Sequence, residues 1–154
     1  MSDNNPVEVL LVEDNPSDLQ LALHVLKEQK LGHNVHVARD GEEALDFVFS
    51  RGPYEGQLLK VLPKVILLDL KLPLVDGIEV LREIRANPHT KQVPVVAMTA
   101  SGNEEDIAEC YALGVNSYIQ KPLDFDHFRH AMQIIAIYWL TMNRPPLPQQ
   151  SGST

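Results

Sequence analysis

The apolar run Val-Ile-Leu-Leu at residues 65–68 leads directly into a single carboxylate, Asp69, and constrains the fold more than any other stretch of this chain. A short apolar run bounded by turn signals is typical of a strand buried on both faces, as in a parallel sheet. Turn-forming residues follow at Pro73 and Asp76–Gly77. Ligands of open α/β sheets bind beyond the carboxyl ends of the strands, so Asp69 is placed for chemistry. On this stretch alone, Asp69 would serve equally well as an N-cap or turn residue.

Apolar strand-like segments alternate with amphipathic helical segments along the whole chain. The predicted strands cover residues 7–12, 35–37, 64–68, 93–98 and 117–120. A residue that caps helices well precedes each of four helical segments, namely Asn15, Asp40, Asp76 and Asn103. Gly32 is predicted to end the first helix. The last helix is predicted from about Asp124 to Met142. This alternation predicts an α/β, flavodoxin-like (βα)5 doubly wound parallel sheet with strand order 2-1-3-4-5 and an extended C-terminal helix.

Length and composition limit the domain count and the classes of partner. The 154 residues are enough for one folded domain, predicted over residues 6–143 between disordered ends at 1–5 and 144–154. A net charge of −8 argues against nucleic-acid binding, which needs a basic surface. Cys110 is the single cysteine, so neither an intramolecular disulfide nor a cysteine metal cluster is possible. Without a secretory signal or a membrane-spanning run, we expect a cytoplasmic protein that does not enter a membrane.

Residues 51–63 form a long irregular connection between a helix and the central strand. Their glycine and proline content is typical of a surface loop. A partner-binding role is the alternative.

Polar side chains follow four of the five predicted strands at the same edge of the sheet, namely Glu13, Asp14, Asp69, Thr99 and Lys121. One pair of carboxylates repels by about 4 kcal/mol at about 4 Å and an effective dielectric near 20. A hard divalent cation such as Mg²⁺, together with Lys121, would offset this repulsion. A metal, a lysine and a hydroxyl around one carboxylate are typical of phosphoryl transfer, in which Asp69 attacks in line and forms an aspartyl phosphate. Thr99 would donate a hydrogen bond to the new phosphoryl group.

The chain resembles the receiver domain of two-component response regulators over roughly residues 6–142. The resemblance rests on a set of short motifs, namely Glu13-Asp14, Asp69 with Pro73 and Gly77, Thr99-Ala100 and Lys121-Pro122. It implies that Asp69 is the phosphoacceptor and that Thr99 and Lys121 bind the phosphoryl group. It also implies that Mg²⁺ or Mn²⁺ is held by Asp14, Asp69 and the backbone carbonyl of Lys71, with Glu13 acting through water. Lys121-Pro122 is then expected to be a cis peptide.

The resemblance also implies how the signal is given and received. A sensor histidine kinase would be the donor, and the signal would leave through the face formed by the fourth helix, the fifth strand and the fifth helix. Thr99 and the aromatic Tyr118 would be coupled as a switch. The chain's own chemistry would be limited to self-catalysed phosphorylation and dephosphorylation, so it would not be an enzyme in the usual sense. The downstream protein, the phosphoryl lifetime and any dependence of dimerisation on phosphorylation stay open.

Within the family, the chain looks like the small single-domain regulators paired with cyanobacterial phytochromes. This likeness rests on the loop at 51–63, on Tyr138-Trp139-Leu140 and on the absence of an output domain. One departure is Lys71, where an asparagine would be more usual. Its carbonyl still suits the metal, and its added positive charge would change the phosphoryl lifetime in a direction that the sequence does not give.

Three other functions compete with a phosphorylation switch. A phosphatase of the haloacid dehalogenase kind needs a second aspartate two residues after the nucleophile, where this chain has Lys71. A scaffold that dimerises without phosphorylation would not need an intact set of site residues. A mononucleotide binder would need a glycine-rich loop after the first strand, and none follows it.

The last helix is apolar on two faces and predicts a homodimer. One stripe suffices to pack it on its own sheet and contains Phe128, Met132, Ile135, Trp139 and Met142. A second apolar face contains Ala131, Ile134, Ile137 and Tyr138. A helix that is apolar nearly all round should be buried nearly all round, and an isologous contact with a second copy is the simplest arrangement. Cover by the tail or by the preceding helix is the alternative.

Overall fold

The computed structural model describes residues 6–30, 34–56 and 62–146. Within these ranges five strands alternate with five α-helices, namely β1 (Val9–Val12), α1 (Pro16–Glu28), β2 (Val35–Ala38), α2 (Gly41–Phe49), β3 (Val65–Leu68), α3 (Gly77–Ala86), β4 (Val95–Thr99), α4 (Glu104–Leu113), β5 (Ser117–Gln120) and α5 (Phe125–Ile137). All neighbouring strands are parallel, in the order β2-β1-β3-β4-β5. The predicted fold class and strand order are therefore confirmed.

Each helix begins three to nine residues after the end of the preceding strand, at a residue whose side chain caps it. The cap oxygen accepts a hydrogen bond from a backbone N–H of the first helical turn in all five helices, with Asn15, Asp40, Asp76, Asn103 and Asp124 as the caps. Pro16 occupies the first helical position of α1, where its missing N–H costs nothing. The helices therefore start where the sequence predicts them, and the strand ends are left at one edge of the sheet.

The sheet separates two apolar layers. On one face the side chains of α1 and α5 pack against β1, β3 and β4, and on the other face those of α2, α3 and α4 pack against the same strands. The three central strands β1, β3 and β4 are buried along their whole length, whereas β2 and β5 are partly exposed. The edge position predicted for residues 35–37 is therefore confirmed.

The C-terminal helix departs from the predicted pattern in its last turn. The α-helix ends at Ile137 and continues as a π-helical turn, Tyr138–Met142, in which the Asn143 N–H donates to the Tyr138 carbonyl at 2.7 Å. The wider turn brings Leu140 into the core and turns Met142 outward, where 65% of its surface is exposed. The predicted sheet-facing stripe is correct at its first three positions, Trp139 is half-buried against the same apolar layer, and the prediction is wrong at Met142. No helix of the described ranges is long and apolar enough to cross a bilayer.

Part of the irregular segment at residues 51–63 is ordered against the body of the domain. Gly52–Tyr54 forms a 3₁₀ turn, and the Tyr54 hydroxyl lies 3.0 Å from His36 Nε2. Residues 57–61, the N-terminal residues 1–5, Gly32 and the tail residues 147–154 lie outside the described ranges, so the predictions on them stay predictions. Every peptide bond in the described part of the chain is trans. The cis bond expected at Lys121-Pro122 is therefore wrong, and this peptide has the form that is favoured by about 0.5–1 kcal/mol before proline.

Candidate functional site

The strand ends bring the predicted site residues to one edge of the sheet. The parallel ladder continues by single hydrogen bonds just beyond the strands, from the Asp69 N–H to the Val12 carbonyl at 3.0 Å and from the Lys121 N–H to the Thr99 carbonyl at 2.7 Å. The backbone at these positions is therefore held by the sheet. Asp69 and Thr99 are 7% and 0% exposed, which is unusual for polar residues and marks the site.

Lys121 is the centre of the site. Its ammonium donates to Glu13 Oε1 at 2.7 Å, to Asp18 Oδ2 at 2.8 Å and to Asp69 Oδ2 at 2.9 Å. The side chains of Glu13, Asp69 and Lys121 are 7%, 8% and 9% exposed, whereas that of Asp18 is 27% exposed. All three hydrogens of the ammonium therefore have carboxylate acceptors in a region that contains little water.

Burial and charge act in opposite directions on the two most affected groups. Burial alone lowers the pKa of Lys121, but its hydrogen bonds to Asp18, Glu13 and Asp69 outweigh that effect and raise the pKa above its usual range. Burial raises the pKa of Glu13 to about 7, the hydrogen bond from Lys121 lowers it, and the charge of Asp69 raises it. Lys121 therefore stays charged at neutral pH, and Glu13 takes up a proton more readily than an exposed glutamate does.

The acidic residues fit a hard divalent cation. Carboxylate oxygens of Glu13, Asp14 and Asp69 lie within 4.8 Å of one another, and Asp14 is exposed on the open side of the group. An all-oxygen donor set with an exposed side suits Mg²⁺ or Mn²⁺, which keep several waters. The Lys71 N–H donates to Asp69 Oδ1 at 3.1 Å and orients that carboxylate. The metal-binding role of the Lys71 carbonyl stays a prediction.

A glycine behind Asp69 allows α3 to begin close to the site. A Cβ at Gly77 would lie 2.3 Å from the Asp69 carbonyl oxygen and 2.6 Å from Leu70 Cα. The Gly77 N–H also donates to the Leu70 carbonyl at 2.8 Å. Only glycine fits this approach without a shift of the backbone that carries Asp69.

A chain of hydrogen bonds links Thr99 with Tyr118 through the loop that follows β4. The Ser101 N–H donates to Thr99 Oγ1 at 3.4 Å, and the Tyr118 hydroxyl donates to the Ser101 carbonyl at 2.9 Å. Ser101 Oγ in turn donates to Asp106 Oδ2 in α4 at 2.8 Å. Burial raises the pKa of the Tyr118 hydroxyl, which is therefore neutral and able to donate. The two predicted switch residues are thus joined by one intervening residue.

Asp18 and Ser101, together with Asp106 beside Ser101, were not predicted from the sequence as members of this arrangement. The available signal for Asp18 is its place in the first turn of α1, just after the acidic pair Glu13-Asp14 and at the same edge of the sheet. A first-turn acid is ordinary in any helix, so this signal is weak. Ser101 acts partly through its backbone N–H and carbonyl, which every residue has, so its side chain gives little warning.

The face predicted for dimerisation lies on the outer side of α5. Ile134, Ile137 and Tyr138 are 55%, 42% and 44% exposed, and Ala131 is partly buried. These side chains are therefore accessible to a second molecule, and dimerisation stays a prediction.

Comparisons with known proteins agree on one family. The sequence model of the family described as response regulator receiver domain matches residues 9–133. The chain is 42% identical to response regulator Rcp1 of Synechocystis sp. over 142 residues, which cover 91% of this chain and 95% of Rcp1. The crystal structure of the Mn²⁺-bound form of Rcp1 superposes with a TM-score of 0.85 at 40% identity and covers 92% of this chain and 99% of that one. The structure of the phosphorylated cyanobacterial phytochrome response regulator RcpA gives a TM-score of 0.84 at 37% identity and covers 94% of this chain and 100% of that one.

Proposed function

Because the chain belongs to the response regulator receiver family, we propose that Asp69 accepts a phosphoryl group from a histidine kinase with the help of Mg²⁺ or Mn²⁺. The observation that carries the proposal is the buried ammonium of Lys121, which lies 2.9 Å from Asp69 Oδ2 and also donates to Glu13, a second carboxylate of the acidic group that could hold a cation. A buried carboxylate with a lysine and a place for a cation can attack a phosphorus atom without being repelled by its charge.

In the proposed reaction an Asp69 oxygen forms a bond to phosphorus while the bond from phosphorus to the donor nitrogen or oxygen breaks. The donor leaves with that electron pair. Lys121 contacts the transferred phosphoryl oxygens, and the Thr99 hydroxyl donates a further hydrogen bond to them. Asp14 and Asp69, with the Lys71 carbonyl and with Glu13 through water, would hold a divalent cation, which would supply positive charge to the same oxygens.

A phytochrome kinase is the donor that the relatives favour. RcpA is described as a phytochrome response regulator, and Rcp1 has a similar length and fold. A panel of purified histidine kinases, with and without phytochrome sensor domains, tests this part of the proposal. Faster transfer from a kinase without a phytochrome domain would reject the phytochrome link while leaving the phosphorylation of Asp69 intact.

Phosphorylation itself is tested with acetyl phosphate and phosphate-affinity electrophoresis. We expect one shifted band with Mg²⁺, none in excess chelator and none in Asp69→Asn. Asp126→Asn, which changes an exposed first-turn aspartate of α5, is the matched control and should shift like the wild type. Labelling that survives chelator or Asp69→Asn would reject the proposal. Absence of labelling from every donor would favour the scaffold function instead.

We propose that the signal leaves through α4, β5 and α5 when Thr99 moves toward the phosphoryl group. The helix α4 has only Cys110 buried and β5 is partly exposed, so this side of the domain is held less firmly than the core. Movement of Thr99 would release the Ser101 N–H and, through the Ser101 carbonyl, the Tyr118 hydroxyl. Solvent accessibility of the Tyr118 ring, measured by NMR with and without beryllofluoride, should differ. Equal accessibility in both states would show that this coupling is absent.

We also propose that the outer face of α5 forms a homodimer. Ile134, Ile137 and Tyr138 together expose an apolar surface that a two-fold contact would cover. The double variant Ile134→Asp with Tyr138→Asp should sediment as a folded monomer at micromolar protein and still accept phosphate. Leu123→Asp, at a fully exposed apolar position outside this face, should leave the dimer intact. A monomeric wild type in both phosphorylation states, or a double variant that still dimerises, contradicts the proposal.

A further inference from the structure

Lys121 has one carboxylate partner that does not belong to the metal-binding group. Among the described residues, that group consists of Glu13, Asp14 and Asp69. Asp18 stands apart from it, yet its Oδ2 accepts from Lys121 Nζ at 2.8 Å, as short as the contacts within the site. This hydrogen bond joins the first turn of α1 to the residue just after β5, and the two residues lie 103 positions apart in the chain.

The fold orients Asp18 toward Lys121 through the start of α1. The Asn15 side chain accepts a hydrogen bond from the Asp18 N–H at 3.0 Å, and Pro16 restricts the first helical position. Asp18 is needed neither as the cap of the helix nor as a metal ligand. Asp18 also lines an open cavity of about 660 Å³ between α1 and the loop that follows β5, and its side chain is partly exposed to solvent.

Lys121 has too few donor hydrogens to keep all of its present partners and contact the phosphoryl group twice when Asp69 is phosphorylated. An ammonium has three N–H donors, and here all three already point at carboxylates. A phosphoryl group on Asp69 brings further strong acceptor oxygens to the same place. The hydrogen that now contacts Asp69 Oδ2 can pass to one phosphoryl oxygen, so a second contact with the phosphoryl group requires that Lys121 release Glu13 or Asp18. Asp18 is the most exposed of the three, so water can most readily replace the ammonium at its oxygens.

We propose that Asp18 is a positioning residue that holds Lys121 beside Asp69 before transfer and competes with the phosphoryl group for Lys121 afterwards. The inference rests on the proposed phosphorylation of Asp69. Asp18→Asn keeps the size of the side chain and an oxygen acceptor but removes the charge that makes the competition strong. We expect the variant to bind a phosphoryl mimic more tightly and to hold the aspartyl phosphate longer, each by about threefold to tenfold.

The test is a titration of beryllofluoride, a phosphoryl mimic, at saturating Mg²⁺, followed by the amide NMR signals of the site. Wild type, Asp18→Asn and the control Asp126→Asn are compared, since both variants remove one first-turn aspartate charge. Tighter binding in Asp18→Asn alone supports the inference. Equal binding in Asp18→Asn and Asp126→Asn overturns it.

A double-mutant cycle shows whether Asp18 acts through Lys121. In a Lys121→Met background, Asp18→Asn should leave the affinity for beryllofluoride unchanged. An undiminished effect in that background would mean that Asp18 acts by its charge alone, and this result also overturns the inference. Failure of the wild type to bind beryllofluoride and to accept phosphate would instead reject the proposed function.

A measurement on the unaltered chain covers the case of a variant that does not fold. The ¹³Cγ signal of Asp18 should shift when beryllofluoride is added, because its carboxylate loses the ammonium. The ¹³Cγ signal of Asp126, which faces solvent, should not move. A stationary Asp18 signal in a sample that has bound beryllofluoride overturns the inference.

Discussion

Replacement of Lys121 by methionine removes the charge at the centre of the site and keeps the length of the side chain. Each contact of 2.7–2.9 Å corresponds to about 6 kcal/mol of gross attraction at an effective dielectric of about 20, most of which offsets desolvation. The carboxylates within 4.8 Å of one another repel by about 3.5 kcal/mol for a pair on the same scale. Because loss of one partner of a buried ion pair costs about 3–5 kcal/mol, we expect that loss in the free energy of unfolding of the metal-free variant.

The stability lost in Lys121→Met should depend on pH. Burial raises the pKa of Glu13 to about 7, and the hydrogen bond from Lys121 that lowers it is absent in the variant. Below pH 7, Glu13 takes up a proton in both proteins. The wild type then loses its Lys121–Glu13 ion pair, and the variant loses the repulsion between Glu13 and the other carboxylates. The destabilisation should therefore be smaller well below pH 7 than well above it. Mg²⁺ at a hundred times the variant's dissociation constant should raise the stability of the variant by about 2.7 kcal/mol over its own metal-free form.

Urea denaturation in chelator and in Mg²⁺, on both sides of pH 7, measures these effects. Lys64→Met is the matched control, because Lys64 pairs with Glu8 at 3.1 Å on the surface with 44% of its side chain exposed. A surface pair is worth at most about 1 kcal/mol, and the control should show neither the pH dependence nor the metal dependence. A Lys121→Met variant that loses no more stability than Lys64→Met, whose loss is insensitive to pH, or whose own stability does not rise with Mg²⁺, would refute this prediction.

Three further predictions concern single residues. Gly77→Ala puts a Cβ 2.3 Å from the Asp69 carbonyl oxygen, so it should cost about 1–3 kcal/mol in thermal unfolding and slow labelling by acetyl phosphate, and unchanged labelling would contradict it. In the metal-free folded protein the pKa of Glu13 is raised from 4.5 to about 7, so between these pH values Glu13 is protonated in the folded chain and ionised in the unfolded chain. The contribution of Glu13 to stability therefore falls as pH rises through this range, by at most about 1.4 kcal/mol per pH unit. Glu13→Gln should lack that fall in denaturation curves across this range, and identical slopes would exclude the raised pKa. Arg85→Lys should lower the free energy of unfolding by about 1–3 kcal/mol, because the guanidinium donates to three oxygens in the segments just before β4 and β5. A loss below about 0.5 kcal/mol in urea denaturation, the usual size at surface positions, would show that these hydrogen bonds add little.

The elements of the fold were predictable because their causes are local. Burial of β3 on both faces follows from its unbroken apolar run, and the start of α3 follows from Asp76 as its cap. The alternation of strands and helices then brings the strand ends to one edge, so Asp69, Thr99 and Lys121 could be grouped before their distances were known. Each of these predictions needed only neighbouring residues and the general rule for parallel sheets.

Other features depend on which distant side chains meet, and only the tertiary structure decides them. Asp18 reaches Lys121 because α1 and β5 end at the same edge, although no spacing in the sequence relates two residues 103 positions apart. The pKa of Glu13 rises because burial removes water from a carboxylate that, in the sequence, resembles its exposed neighbour Asp14. Met142 lies outside the core because the chain forms a π-helical turn after α5, which rotates the last residues. A prediction based on the regular α-helical period does not include such a turn. Local pattern sets which residues form strands and helices, whereas charge competition and desolvation depend on distances between elements and are set only when those elements pack.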